Sequence, residues 1–174
     1  MAKITSINIS PKKGTFKQPV ERAELRVDYG IVGDAHAGNW HRQISLLAQE
    51  SIDKMIALGL PDLTPGKFAE NITTEGISLY TLPVGTILRL GACRVEVTQI
   101  GKECHQHCEI YKGRAMHHAA RGHLCARAHT GRNFGWRRNR GRTIVSVSSL
   151  RAEARFFHRT SQKIQKIGGC TVPF

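Results

Sequence analysis

A mainly β fold, a barrel of short strands with one or two short helices, is what this sequence predicts, and three observations carry it. Short runs alternate apolar with polar residues, Gly and Pro turns separate them at close intervals, and a single stretch after Ala48 switches to helical spacing. At 174 residues the chain is long enough for one domain with a sizeable core and too short for two full-sized ones.

The first strand covers residues 3–10, where Ile4, Ser6 and Asn8 alternate with Thr5, Ile7 and Ile9, and the turn from Pro11 to Gly14 ends it. Residues 20–27 form the next, with Ala23 and Leu25 on one side. Residues 29–42 carry glycines at 30, 33 and 38 and little apolar period, the signature of a loop with something to hold. Residues 43–48, with Ile44, Leu46 and Leu47, read as a buried strand. Residues 49–58 place Ile52, Met55 and Ile56 on a helical stripe that Gly59 and Pro61 terminate, and that stripe is core packing. Residues 65–76 are polar, and Glu70 with Asn71 interrupts the apolar pattern of Phe68, Ala69 and Ile72, a costly placement unless both are satisfied or used. Leu82-Pro-Val-Gly85 turns the chain, and residues 87–90 with 93–100 make a hairpin.

The chemistry gathers at the end of that hairpin. Gly101-Lys-Glu-Cys-His-Gln-His-Cys-Glu-Ile-Tyr-Lys112 packs two thiols, Cys104 and Cys108, and two imidazoles, His105 and His107, into five residues. Lys102 and a protonated His105 are cationic neighbours of the kind that raise a thiolate fraction, so Cys104 is the candidate reactive atom. Cys108 is placed to resolve an oxidised or persulfidated Cys104 as a disulfide. Two other readings stand beside this one. The cluster can be a half-buried thiol in a polar turn, or a zinc site, although structural zinc sites favour two separated ligand pairs and this cluster is compact. In the earlier loop, Asp34 and His36 are two apart and point the same way in an extended stretch, where an Asp fixes a His tautomer or raises its pKa. The plainer alternative is an Asp34 that caps a turn and a solvated His36. Arg42 is a candidate anion contact, with a surface ion pair as its commoner use.

Compartment and charge narrow the class further. No apolar run reaches the roughly eighteen residues of a membrane span, and the alternating N-terminal residues read as a strand and not a signal peptide, so a cytoplasmic protein with no membrane partner is expected. Five cysteines without regular spacing argue for free thiols over a disulfide framework. The net charge of +13 is unevenly held: residues 1–112 carry 13 Lys and Arg against 12 Asp and Glu, whereas residues 113–174 carry 13 against Glu153 alone.

Taken in order, Gly33-Asp-Ala-His-Ala-Gly38, His41-Arg42 with Ile44-Ser-Leu-Leu47, Glu70-Asn-Ile-Thr-Thr-Glu-Gly76, Val84-Gly85, Leu90-Gly91 and the run from Val97 to Cys104 resemble the MOSC domain, named for the C-terminal domain of molybdenum cofactor sulfurases. The resemblance spans residues 3–112 and departs at Ala69, where the family often has glycine. It implies a pyruvate-kinase-type β-barrel and a sulfur-related role. A cysteine would carry sulfur as a persulfide, or meet the metal of the molybdenum cofactor, in a sulfurtransferase-like or cofactor-dependent activity. The implied partners are a cysteine desulfurase as donor and the molybdenum cofactor or a molybdoenzyme as acceptor. The matching cysteine is Cys104, which is also the position that would touch molybdenum. Asp34, His36, Arg42, Glu70 and Asn71 match positions lining the same pocket.

After Lys112 the resemblance stops. Back-translated and read one base on, Met116 to Arg127 can spell Cys-Ile-Met-Pro-Arg-Glu-Gly-Ile-Phe-Ala-Arg-Val, which is how the family continues, and the residues up to Arg140 permit the Gly-Gly turn and strand that follow. The expected organisation is therefore a MOSC-like domain over residues 1–112 that lacks its closing strands, then an Arg-rich tail over 113–174 translated out of frame. That tail is expected to be irregular or disordered, with Ile144-Val-Ser-Val147 as the one piece able to add as a strand. A rival class is a basic nucleic-acid-binding protein acting through its tail; it lacks a recognisable binding motif and a helical charge stripe.

Overall fold

The computed structural model describes residues 2–91, 93–101, 123–128, 142–146 and 150–153. Lys3–Ile9 forms β1, Gln18–Val20 β2, Arg22–Arg26 β3, Gly30–Ile31 β4 and Ile44–Ala48 β5; helix α1 is Gln49–Ala57. Ile72–Glu75 is β6, and a short 3-10 turn at Leu79–Thr81 leads to β7 at Ile87–Leu90 and β8 at Cys93–Ile100. Three further strands follow, β9 at His123–Ala128, β10 at Arg142–Ser146 and β11 at Leu150–Glu153.

The mainly β expectation holds, with one helix where helical spacing begins. Closure does not follow. The described strands form an eight-stranded sheet in the order β11-β7-β8-β9-β5-β6-β1-β2 and a separate three-stranded sheet, β10-β3-β4. In this order the outer strands β11 and β2 are not paired with each other, so the sheet is open where a barrel was expected. The β2 edge has a physical reason: it is three residues long and contains Pro19, which has no N–H to donate to a further strand.

Every pairing is antiparallel except β5 with β6, which run parallel because α1 carries the chain back between them. Apolar side chains of β1, β3, β5, β7 and β8, among them Ile7, Leu25, Ile44, Leu46, Leu88 and Val95, form one buried cluster. A smaller cluster under the helix contains Leu47, Ile52, Met55, Phe68 and Ala69. Leu46 and Leu47 thus serve opposite faces of one strand, the mark of a strand covered on both sides. The helical stripe is narrower than predicted: Ile52 and Met55 are buried, while Ile56 is 42% exposed.

The tail also departs from expectation. The described residues of the range 113–174 form three strands, and β9 lies in the middle of the large sheet between β8 and β5. The reason lies in the body: β8 and β5 each present a row of backbone donors and acceptors that β9 pairs, Val97 with Ala126 and Ile44 with Ala126 in register. Small residues suit that position, and Cys125, Ala126 and Ala128 are buried there. The run expected to add as a strand does so as β10, which pairs β3 from Arg142 opposite Arg26 to Ser146 opposite Arg22.

Candidate functional site

Two loops, one after β1 and one after β4, meet around a buried carboxylate. Asp34 has a side chain that is 0% exposed, and the ammonium of Lys17, 1% exposed, forms an ion pair with its Oδ2. The same Oδ2 accepts the Ser10 N–H at 3.1 Å, and Oδ1 accepts the His36 N–H at 2.9 Å. The loops are joined through their backbones as well, the Ala35 N–H donating to the Ser10 carbonyl at 2.7 Å. Burial pushes the Asp34 carboxyl up, but hydrogen bonds from His36 and the charge and hydrogen bond of Lys17 outweigh it and hold the group well below the usual carboxylate range.

The His36 ring lies beside this pair and not within it. Its Nδ1 is 3.4 Å from Asp34 Oδ1 and 3.5 Å from Lys17 Nζ, and the side chain stays 26% exposed. Asp34 and His36 therefore do meet, through a turn in which Asp34 caps the His36 amide and not through an extended stretch, so parts of both sequence readings apply. Trp40 fixes the far side of the loop by donating its indole N–H to the His36 carbonyl at 2.7 Å. The Arg42 guanidinium sits over the Trp40 ring, 5.1 Å from its centroid, and Arg42 Nε is buried with no hydrogen-bond partner among the described residues. No Arg42 ion pair occurs among the described residues. The arrangement offers a partly exposed imidazole and a guanidinium with one donor that has no hydrogen-bond partner among the described residues, whereas the Lys17 ammonium is buried and committed to Asp34.

Glu70 and Asn71 lie deeper, at 0% and 1% exposure. Asn71 stitches β1 to β5: its Oδ1 accepts the Ser45 N–H at 3.1 Å and its Nδ2 donates to the Asn8 carbonyl at 3.2 Å. Glu70 accepts from the Gly66 N–H, the Phe68 N–H and the Thr73 hydroxyl. Burial pushes its carboxyl above the ordinary value, and these hydrogen bonds, Gly66 foremost, pull back without cancelling the effect. Both residues are bonded to protein and not presented to a ligand.

Lys102, Cys104, His105 and Cys108 lie outside the described residues. The strand that precedes them in sequence does not: Thr98 on β8 donates its hydroxyl to the His41 carbonyl, which ties β8 near its end to the loop that holds His36 and Arg42. Among the described residues no group of three or more His, Cys, Asp or Glu is placed to hold a metal ion. Lys17 is the site residue that sequence reasoning missed. It sits in a polar turn with no period and no motif neighbour, and only its burial marks it out.

The described residues thus make a two-sheet β domain with a buried Lys–Asp pair, a histidine beside it and an arginine stacked on Trp40 in the same loop. The model of the MOSC domain matches residues 33–152, and the chain belongs to that family. The matched span runs past Lys112, takes in β9 and β10 and ends within β11. The fold is similar to that of the YuaD protein from Bacillus subtilis, with a TM-score of 0.63 at 18% identity over 84% of this chain and 91% of that one. It is also similar to YiiM from Geobacillus stearothermophilus, with a TM-score of 0.62 at 18% identity over 86% and 74% of the two chains. YiiM from Escherichia coli gives a TM-score of 0.59 at 18% identity over 88% and 71%. No curated protein matches by sequence.

Proposed function

We propose that this MOSC protein handles sulfur through Cys104, with Asp34, His36, Arg42 and Lys17 forming the polar wall of the site. The observation that supports this reading best is the Thr98 bond to His41, which ties the strand preceding Cys104 in sequence to the loop that holds His36 and Arg42. In the carrier step the Cys104 thiolate attacks the outer, sulfane sulfur of a persulfide on a cysteine desulfurase. The donor's S–S bond breaks, an S–S bond to Cys104 forms, and the donor leaves as a thiolate, so no external oxidant or reductant is required. Lys102 and His105, adjacent in sequence, favour the thiolate, and Cys108 can discharge the persulfide by forming a disulfide with Cys104 and releasing hydrosulfide.

The same residues fit the molybdenum cofactor. Its phosphate is anionic, and Arg42, whose buried Nε has no hydrogen-bond partner among the described residues, is a cationic donor of matching charge. When bound, the cofactor would supply a metal to which the Cys104 thiolate is a suitable ligand. The chain's own contribution is to orient Arg42 on Trp40 and to keep Asp34 ionised.

Alkylation of Cys104 by iodoacetamide as a function of pH tests the thiol chemistry. Reactivity should rise at lower pH than for free cysteine, and a profile matching free cysteine would remove the activated thiolate. The rival nucleic-acid reading separates on heparin in the full chain: retention that disappears when Arg137, Arg138 and Arg140 are replaced by Gln, with Cys104 chemistry intact, assigns retention to the tail and function to the site.

A further inference from the structure

The wall of the site is held from behind by a carboxylate that does not touch it. Glu70 closes the turn ahead of it by accepting the Gly66 N–H and, at 3.2 Å, the Phe68 N–H, and the Thr73 hydroxyl on β6 donates to it at 3.1 Å. The Gly66 carbonyl then accepts the Lys17 N–H at 3.0 Å. The approach of the two backbones is close: a Cβ on Gly66, at φ +90°, would fall 2.2 Å from the Lys17 carbonyl oxygen. A second contact joins the same two segments, the Lys67 ammonium lying 4.7 Å from the centroid of the Phe16 ring. Lys17 in turn places its ammonium on Asp34 and 3.5 Å from His36.

We infer that Glu70 is a positioning residue for the site: by shaping the Gly66 turn it sets the backbone of Lys17, and through it the charge that faces Asp34 and His36. This deepens the reading of those residues as the wall of the Cys104 site and rests on that reading for its functional meaning. Among the described residues the groups facing the Asp34 carboxylate are Lys17, His36 and the Ser10 amide, and Lys17 is the one whose backbone the turn holds.

The test reads Asp34 directly, by the NMR titration of its side-chain carboxyl carbon in the full chain carrying Cys104→Ser, so that sulfur chemistry plays no part. Wild-type Asp34 should remain ionised down to the acid limit of the fold. Lys17→Met should bring its titration up to higher pH, Glu70→Ala should move it the same way, and the double variant should go no further than Lys17→Met alone. Glu70→Gln, which keeps one acceptor oxygen, should show a smaller shift in the same direction and gives a readout if Glu70→Ala does not fold. Leu88→Ala, a core truncation remote from the turn, should leave the titration in place. An unmoved Asp34 in the folded Glu70 variants, an equal shift in Leu88→Ala, or additive shifts in the double variant would overturn the inference. Failure of Cys104 to accept sulfur while the coupled shift is observed would instead remove the function and leave the positioning role standing.

Discussion

Lys17 and Asp34 are both removed from water, and each is tolerable only because of the other. Removing one partner strands a buried charge, so Lys17→Met should destabilise the fold by about 3–5 kcal/mol, and adding Asp34→Leu should recover part of that loss. Urea unfolding of the three variants at neutral pH checks it. Asp34 is held below the ordinary carboxylate value, so its stabilising contribution is complete above about pH 4 and is lost as pH falls through the lower folded-state value. The stability gap between wild type and Asp34→Asn should therefore be flat from pH 7 to about 5 and close below about 4. Glu70 runs the other way. Its raised value means it opposes folding above that value, and protonation relieves the cost as pH falls. The pairing of Asp34 with His36 was legible because two residues of separation brings side chains together in either an extended chain or a turn. Lys17 was not, since its partner lies seventeen residues away and nothing in its neighbours signals burial.

At the scale of elements, strands and helix were legible where local period agreed with tertiary packing. β6 was hidden because its run from Ile72 to Glu75 is short and polar and is buried by parallel pairing to β5, a partner no local pattern reveals. Ile56 was misassigned because the cluster under α1 is small and receives only Ile52 and Met55 from the helix. Ile52→Ala should cost about 2–5 kcal/mol, whereas Ile56→Lys should stay within about 0.5 kcal/mol, measured as shifts in the urea midpoint. The one departure from the family's residues also acquires a physical meaning. Ala69 has φ +57°, a left-handed conformation that favours glycine, and its methyl is buried against the helix cluster. Ala69→Gly should be close to neutral, because relief of about 1–2 kcal/mol of strain is set against loss of about 0.8 kcal/mol of methyl burial and added chain entropy. Ala69→Val should destabilise, since a branched Cβ is poorly tolerated at positive φ.

For the whole molecule, the β class could be read from alternation and turn spacing, but openness could not, because closure depends on which edges find partners. The segments after Lys112 show the same limit. Their composition predicts an irregular tail, yet β9 occupies the gap between β8 and β5, where backbone pairing outweighs sequence preference. At those codons the shifted frame permits Ile-Phe-Ala-Arg-Val from position 123, a run better suited to a strand, and we propose that the family's own residues stood there before a change of frame. Restoring that frame should raise the unfolding midpoint, and resequencing the gene should show one base gained or lost near the codons for Lys112 and Gly113. Among the described residues no helix is long and apolar enough to cross a membrane.

That Cys104 accepts sulfur is open to a direct test by intact mass spectrometry after incubation of the chain with a cysteine desulfurase and free cysteine. The wild-type chain should gain the mass of one sulfur atom, removable by a thiol reductant, and Cys104→Ser should not. A reducible one-sulfur gain that persists in Cys104→Ser, or no gain on the wild type when the desulfurase itself is loaded, would contradict the claim.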